Sequence, residues 1–303
     1  MPTLSLNVPN FGNLLAADDF GHLLKVCRAA DTAGVDRLIL TDHVVMGPDT
    51  SAYSWGAFPT NPDAPWLEPM TVLALVAGQT ERIRLGTGIV IAALRGGAVL
   101  AKTAATLDLL SGGRVDLGVG TGWQAKEYEA VGLDFAKRGP LLDDTLAVCR
   151  ALWEGAPAAV ARPGITFDDA HCSPRPAAGR RIPIWVSGTL SKAVVRRLTT
   201  WGDGWIPIMG ATDDDLGAGI ERLRDAFADA GRDPAELQVR GRLTVERTGS
   251  GAVDLPATVA NAAAQARLGV TDVSVALQAL DADPDAATAL LPELVAAFRA
   301  EFS

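Results

Sequence analysis

Ile83-Arg84-Leu85-Gly86-Thr87-Gly88-Ile89-Val90-Ile91 reads as a strand, Ala98 to Leu110 as a helix, Gly112-Gly113 as its stop, and Val115 to Val119 as a second strand. The signal is the change of hydrophobic period, from a short β-rich run to a helical repeat and back. The same alternation extends outward in both directions. Further strands are expected at Leu4 to Val8, Arg37 to Leu40, Ile182 to Val186, Trp205 to Ile208, Leu237 to Val245 and Asp272 to Leu277. Most are apolar throughout, as strands buried on both faces should be.

The intervening helices are expected at Asp18 to Ala33, Glu68 to Gln79, Leu141 to Trp153, Ser191 to Thr200, Asp214 to Ala230 and Pro256 to Leu268, with Pro284 to Phe302 last. Gly34, Gly231 and Gly269 stand where helix ends favour a left-handed residue. Eight strand-helix units in 303 residues predict an α/β fold, a single (β/α)8 TIM barrel covering residues 1–303 as one domain. A doubly wound open sheet shares the alternation, but its dinucleotide signature Gly-x-Gly-x-x-Gly is missing after the first strand, which ends in Pro9-Asn10-Phe11-Gly12. Two proline-rich insertions, Val44 to Leu67 after strand two and Gly155 to Arg181 after strand four, are expected over the strand ends, the second equally as a solvent-exposed excursion.

Composition narrows the function. A net charge of −9, with no cluster of Lys and Arg, argues against a nucleic-acid partner. No apolar run reaches membrane-spanning length and no leader pattern opens the chain, so a cytoplasmic protein with no membrane partner is expected. Cys27, Cys149 and Cys172 imply no disulfide framework, and no Cys/His spacing suits a metal.

In a barrel of this kind, chemistry sits at the C-terminal strand ends. Five clusters fall there: Pro9-Asn10-Phe11, Thr41-Asp42-His43, Gly86-Thr87-Gly88-Ile89, Gly118 to Trp123, and Ser187-Gly188-Thr189. Asp42-His43 sets a carboxylate beside an imidazole, suited to a cofactor ring or to proton transfer, or equally to a polar turn. His22 within a helix and His171 in a loop lack that position. Gly118-Val119-Gly120-Thr121-Gly122 admits a flat ligand to the backbone, or makes a tight turn, and Trp123 beside it covers a ring or fills the core. Ser187, Gly188 and Thr189 lead into a helix start suited to a phosphate, with Gly210 after the next strand to complete it, or equally to capping of the helix by a hydroxyl.

Three longer stretches carry a resemblance: Arg82 to Ile91, Ala101-Lys102-Thr103-Ala104-Ala105-Thr106-Leu107-Asp108, and Ser111-Gly112-Gly113-Arg114-Val115-Asp116-Leu117-Gly118-Val119-Gly120-Thr121-Gly122-Trp123. With Gly132 to Phe135, Arg138-Gly139, Leu152-Trp153, Pro183 to Val186 and Gly202 to Trp205, the chain resembles the luciferase-like monooxygenase superfamily. Thr41-Asp42-His43 looks most similar to the branch that uses the deazaflavin coenzyme F420, with FMN the alternative cofactor. The resemblance implies an F420-dependent oxidoreductase moving hydride between the coenzyme and a small organic substrate. An FMN-dependent two-component monooxygenase is the second reading, and a non-catalytic cofactor-binding barrel the third.

It further implies that His43 assists proton transfer, oriented by Asp42, and that both lie by the ring or substrate. Gly88 and Ile89 would back the ring through a cis peptide, Gly120, Thr121, Gly122 and Trp123 would line its edge, and Ser187, Gly188, Thr189 and Gly210 would take the phosphate. Two departures stand out. Trp123 replaces the acid of the family's sugar-phosphate dehydrogenases, and Gln124-Ala125-Lys126-Glu127 replaces the usual Asn-Glu-Glu-Glu. A homodimer paired through helices of the second and third units is expected from the family.

Overall fold

The apolar runs become strands β1 (Thr3–Asn7), β2 (Arg37–Leu40), β3 (Arg84–Thr87), β4 (Val90–Ile91), β5 (Val115–Gly120), β6 (Ala158–Arg162), β7 (Ile165–Ala170), β8 (Ile184–Ser187), β9 (Gly204–Ile206), β10 (Gln238–Arg242) and β11 (Asp272–Ala276). These come from a computed structural model, which describes residues 1–12, 20–54, 56–177 and 180–303. The helices are α1 (Gly21–Ala33), α2 (Pro69–Ala77), α3 (Gly97–Leu110), α4 (Ala125–Ala130), α5 (Arg138–Glu154), α6 (Lys192–Thr200), α7 (Asp213–Asp229), α8 (Leu255–Leu268), α9 (Leu277–Leu280), α10 (Pro284–Ala289) and α11 (Leu291–Glu301).

The large sheet runs β3-β2-β1-β11-β10-β9-β8-β5-β4, every neighbour parallel. Because β3 also pairs with β5, through Leu85↔Val115 and Gly86↔Asp116, the sheet closes on itself. β3 and β4 are two halves of one stave, so eight parallel positions form the barrel. The stave breaks at Gly88-Ile89, whose peptide is cis, where a single strand from Ile83 to Ile91 was expected.

Close approach explains the glycines between these staves. A Cβ on Gly118 would lie 1.9 Å from the Thr87 carbonyl oxygen, so only glycine lets β3 and β5 meet there. Near the strand starts the interior is ionic. Asp116 accepts from Arg37 (Nε, 2.7 Å) and Arg84 (Nε, 2.6 Å), and Asp272 from Arg37, Arg240 (2.6 Å), Ser5 (2.6 Å) and Thr3 (2.7 Å). The Trp185 ring lies beneath the guanidinium groups of Arg37 and Arg240, at 5.0 and 4.7 Å.

Some boundaries differ from expectation for local reasons. The expected last helix is two, because Pro292 has no N–H to continue α10 and instead opens α11. The expected first helix began at Asp18, and Asp18 and Asp19 lie outside the described residues. The second insertion forms an antiparallel hairpin, β6 with β7, rather than an irregular loop. Of the two places expected for it, it takes the one away from the strand ends. It follows α5 and returns to the start of β8, and Ala177 N–H donates to Asp108 in the last turn of α3 while Arg180 donates to the Gly113 carbonyl in the turn that enters β5. Among the described residues, the first insertion covers strand ends and the second does not.

Candidate active site

Asn10, wholly buried just past β1, ties the upper face together. Its side-chain N–H groups reach the carbonyls of Thr41 and Leu67, and its Oδ1 accepts from Thr41 N–H at 3.1 Å. Both ends of the first insertion are therefore held by one side chain. Phe11 continues the join, bridging to Trp66 and stacking on it with ring centroids 3.9 Å apart. From the other side, Gln124 at the start of α4 donates to the Asp49 carbonyl at 3.1 Å.

Thus held, the insertion lays aromatic rings over the end of β2. His43 meets Trp66 edge-on at 4.6 Å, Trp123 at 5.6 Å and Phe58 at 5.7 Å, and Tyr53 and Phe58 contact Trp123 in turn. A cavity of about 140 Å³ opens beside them, lined by His43, Val44, Val45, Met46, Thr60 to Pro62, Ala64 and Trp66. His43 is the one ionisable side chain in that lining. The Trp66 indole N–H is buried with no acceptor.

Asp42 and His43 are neighbours in sequence but not partners in space. The Asp42 carboxylate takes a bidentate pair from Arg95, at 2.6 and 2.9 Å, and a bond from Ile91 N–H at 2.8 Å. Arg95 also donates to Glu68 at 2.7 Å. Burial works against charge on Arg95 and Glu68, but their mutual bonds and the Asp42 pairing outweigh it, raising the arginine and lowering the carboxyl. Asp42 is thus fully engaged in fastening β2 to β4, which corrects the expectation that it orients His43. That place belongs to Glu127 of α4, wholly buried, whose Oε2 lies 3.2 Å from His43 Nδ1 and whose Oε1 accepts from Val44 N–H at 2.7 Å.

The glycine run also has a different local role from the one read in the sequence. A Cβ on Gly120 would sit 3.0 Å from Ile89, and one on Gly122 would sit 3.0 Å from Ile91. The space that these glycines leave is filled by strand three's isoleucines, not held open for a flat ligand. Thr121 offers its carbonyl to Tyr128 OH at 2.6 Å, and Trp123 joins the aromatic cluster. Gly88 and Ile89 are part-exposed between buried Thr87 and Val90, so the bulge does face open space.

Ser187 ends β8, and Gly188 is held to the next stave by its N–H to the Ile206 carbonyl, 3.1 Å, and by the Trp205 indole N–H to its own carbonyl, 2.9 Å. Ser191 caps α6 by accepting from Val194 N–H. No bond within the described chain engages the hydroxyls of Ser187 and Thr189, and Thr189 and Lys192 are exposed. Gly210, with φ 88°, turns in open space beyond β9. Of the remaining histidines, His22 lies 3.7 Å from Asp285 and His171 is exposed. Burial pushes the Cys27 and Cys149 thiols up to about 12, as inert core residues, and all three cysteines are free. Among the described residues no group of three His, Cys, Asp or Glu is placed to hold a metal, and no helix is long and apolar enough to cross a membrane.

Glu127, Trp66 and Arg95 are the site residues that the sequence reading missed. Each reaches His43 or Asp42 only through tertiary contact, and the one local sign was that Gln124-Ala125-Lys126-Glu127 keeps an acid of the family pattern only at Glu127. A family model for luciferase-like monooxygenases matches residues 4–268. This chain belongs to that family. The luciferase-like chain is 35% identical over 228 residues to a phthiodiolone/phenolphthiodiolone dimycocerosates ketoreductase of Mycobacterium tuberculosis (strain CDC 1551 / Oshkosh), over 71% of this chain and 59% of that relative. It thus spans about three-fifths of the ketoreductase's length.

Among solved structures, an F420-dependent secondary alcohol dehydrogenase in complex with an F420-acetone adduct superposes with TM-score 0.79 at 16% identity, over 98% of this chain and 99% of the other. A monooxygenase from Streptomyces bottropensis gives 0.77 at 19%, over 99% and 100%. These likenesses establish the barrel. The matching family is described as monooxygenases and the mycobacterial relative as a ketoreductase, both redox enzymes.

Proposed function

We propose that this chain is an F420-dependent oxidoreductase acting on a carbonyl compound or the corresponding alcohol. The observation that carries the reading is the cavity at the end of β2, where His43 is the one ionisable group in an otherwise neutral lining. The ketoreductase relative and the alcohol dehydrogenase fold neighbour support the substrate class. The residues suit the cofactor: the unengaged hydroxyls of Ser187 and Thr189, the exposed start of α6 and the Lys192 ammonium form a donor set for a phosphate. Gly88 and Ile89 would back the ring, with Gly210 near its phosphate arm.

When bound, the deazaflavin supplies the hydride acceptor or donor. The chain's own residues then handle the proton. His43, at the wall of the cavity, gives a proton to the substrate oxygen or takes one from it, and the Trp66 indole N–H donates a second bond to that oxygen. The aromatic rings of the insertion exclude water from the reacting atoms. Leu75, Val99, Leu109 and Leu110 expose apolar surface on α2 and α3, the faces through which two copies would pair as a homodimer.

Fluorescence titration with F420 and, separately, with FMN tests the cofactor. Micromolar or tighter F420 binding supports the reading. FMN binding of that strength without F420 binding would replace it with the monooxygenase reading, which the Streptomyces neighbour favours, and binding of neither would leave a barrel without this chemistry.

A further inference from the structure

His43 Nδ1 and Glu127 Oε2 are both buried and lie 3.2 Å apart in ion-pair contact, off the line of a hydrogen bond, and neither has a hydrogen-bond partner. A carboxylate oxygen offers only lone pairs. If Nδ1 were bare, two lone pairs would face each other with no water to separate them. A proton therefore belongs on Nδ1. We propose that Glu127 is a positioning residue that selects the tautomer of His43, placing Nδ1–H against the carboxylate and turning Nε2 to the substrate cavity as the working edge.

The carboxylate is itself held. Glu127 Oε1 accepts from Val44 N–H, so Oε2 is the oxygen left to face the ring, and Tyr128, the next residue, anchors α4 through the Thr121 carbonyl. The other charged groups nearby are engaged. Asp42 and Glu68 are paired with Arg95, Lys126 is paired with Glu129 at 2.6 Å, and Tyr53 lies among the rings with its phenol raised by burial. Among the described residues, Glu127 is the one acid in ion-pair contact with His43. The inference deepens the proposed proton role of His43 and rests on it for its functional meaning, yet the tautomer itself belongs to the free chain.

Glu127→Gln is the decisive variant because it nearly preserves shape. The bond from Val44 N–H holds the amide oxygen, so the amide NH2 must face Nδ1 and turn it into an acceptor. The substitution should therefore move the ring proton from Nδ1 to Nε2. With only three histidines in the chain, 15N imidazole resonances of the cofactor-free protein can be assigned using His43→Ala. At a pH where the spectra show one proton per ring, wild type should show protonated Nδ1 and bare Nε2 at His43, and Glu127→Gln the reverse.

Bare Nδ1 in wild type overturns the proposal, and so does an unchanged tautomer in a folded variant. If the variant does not fold, the wild-type spectrum alone decides. Turnover gives the second reading: kcat should fall on the order of 10²-fold with KM little changed. An equal loss through KM alone would show a purely structural residue. Failure to bind F420 refutes the cofactor reading and leaves the tautomer measurement standing, so the two outcomes separate.

Discussion

His43 shows how one side chain acquires its properties from neighbours remote in sequence. Trp66, 4.6 Å away, carries a buried N–H without an acceptor, an arrangement that costs about 1–3 kcal/mol unless a ligand completes it. Trp66→Phe should keep the stack on Phe11, leave the melting temperature nearly unchanged, and raise substrate KM about tenfold, the worth of one hydrogen bond. Steady-state kinetics beside calorimetry would decide, and a large loss of stability with unchanged KM would make Trp66 a packing residue only. Arg95 presents the opposite case. Arg95→Ala strands the buried Asp42 carboxylate and should cost about 3–5 kcal/mol in urea unfolding, whereas Asp42→Asn with Arg95 in place should cost less, because Arg95 retains Glu68 and partial exposure.

At the scale of elements, the third stave and its neighbour β5 depend on absent side chains. Thr87 OH donates to the Gly118 carbonyl at 2.7 Å, and the Thr87 carbonyl occupies the space where a Gly118 Cβ would stand. Gly118→Ala should therefore destabilise the barrel by about 3 kcal/mol, at the upper end of overpacking costs, since backbone cannot swing aside as a side-chain tip can. Gly249→Ala, which meets open space and needs no left-handed backbone, should lose far less and serves as the control in the same thermal melt. The first insertion is an element of another kind. Its described residues form no helix and no strand of their own, and Asn10, Phe11 and Gln124 fix it from outside, so Tyr53, Phe58 and Trp66 are ordered by the barrel rather than by local propensity.

Across the whole molecule, the ionic interior near the strand starts links staves that share no sequence proximity. Burial alone would raise the Asp272 carboxyl, but Arg37 and Arg240, with bonds from Ser5 and Thr3, hold it down at about 2 from 3.8. Because the folded value lies below the unfolded one, this contribution is complete above about pH 4 and disappears as the pH falls toward 2. Acid unfolding should therefore steepen in that window, and Asp272→Asn should flatten it while lowering stability at pH 7 by about 3–5 kcal/mol through the stranded arginines. The proposed pairing of two copies is tested at this scale too. Leu110, 74% exposed, sits with Leu109 and Val99 on α3, and Leu110→Lys should shift a dimer to monomer in light scattering.

The sequence by itself determined the alternation of strand and helix, the closed barrel and the places where His43, Ser187 and Thr189 stand, because period, glycine stops and strand-end position are local properties. It could also place Asp42 beside His43, since adjacency is what a sequence records. Only the tertiary structure decided that Asp42 binds Arg95 while His43 turns to Glu127, that the glycine run receives isoleucines, and that one insertion covers the site while the other passes behind it. Successive residues at a strand end point to different sides, so their partners come from separate elements. Those partners are set by how the staves close, which no local pattern contains.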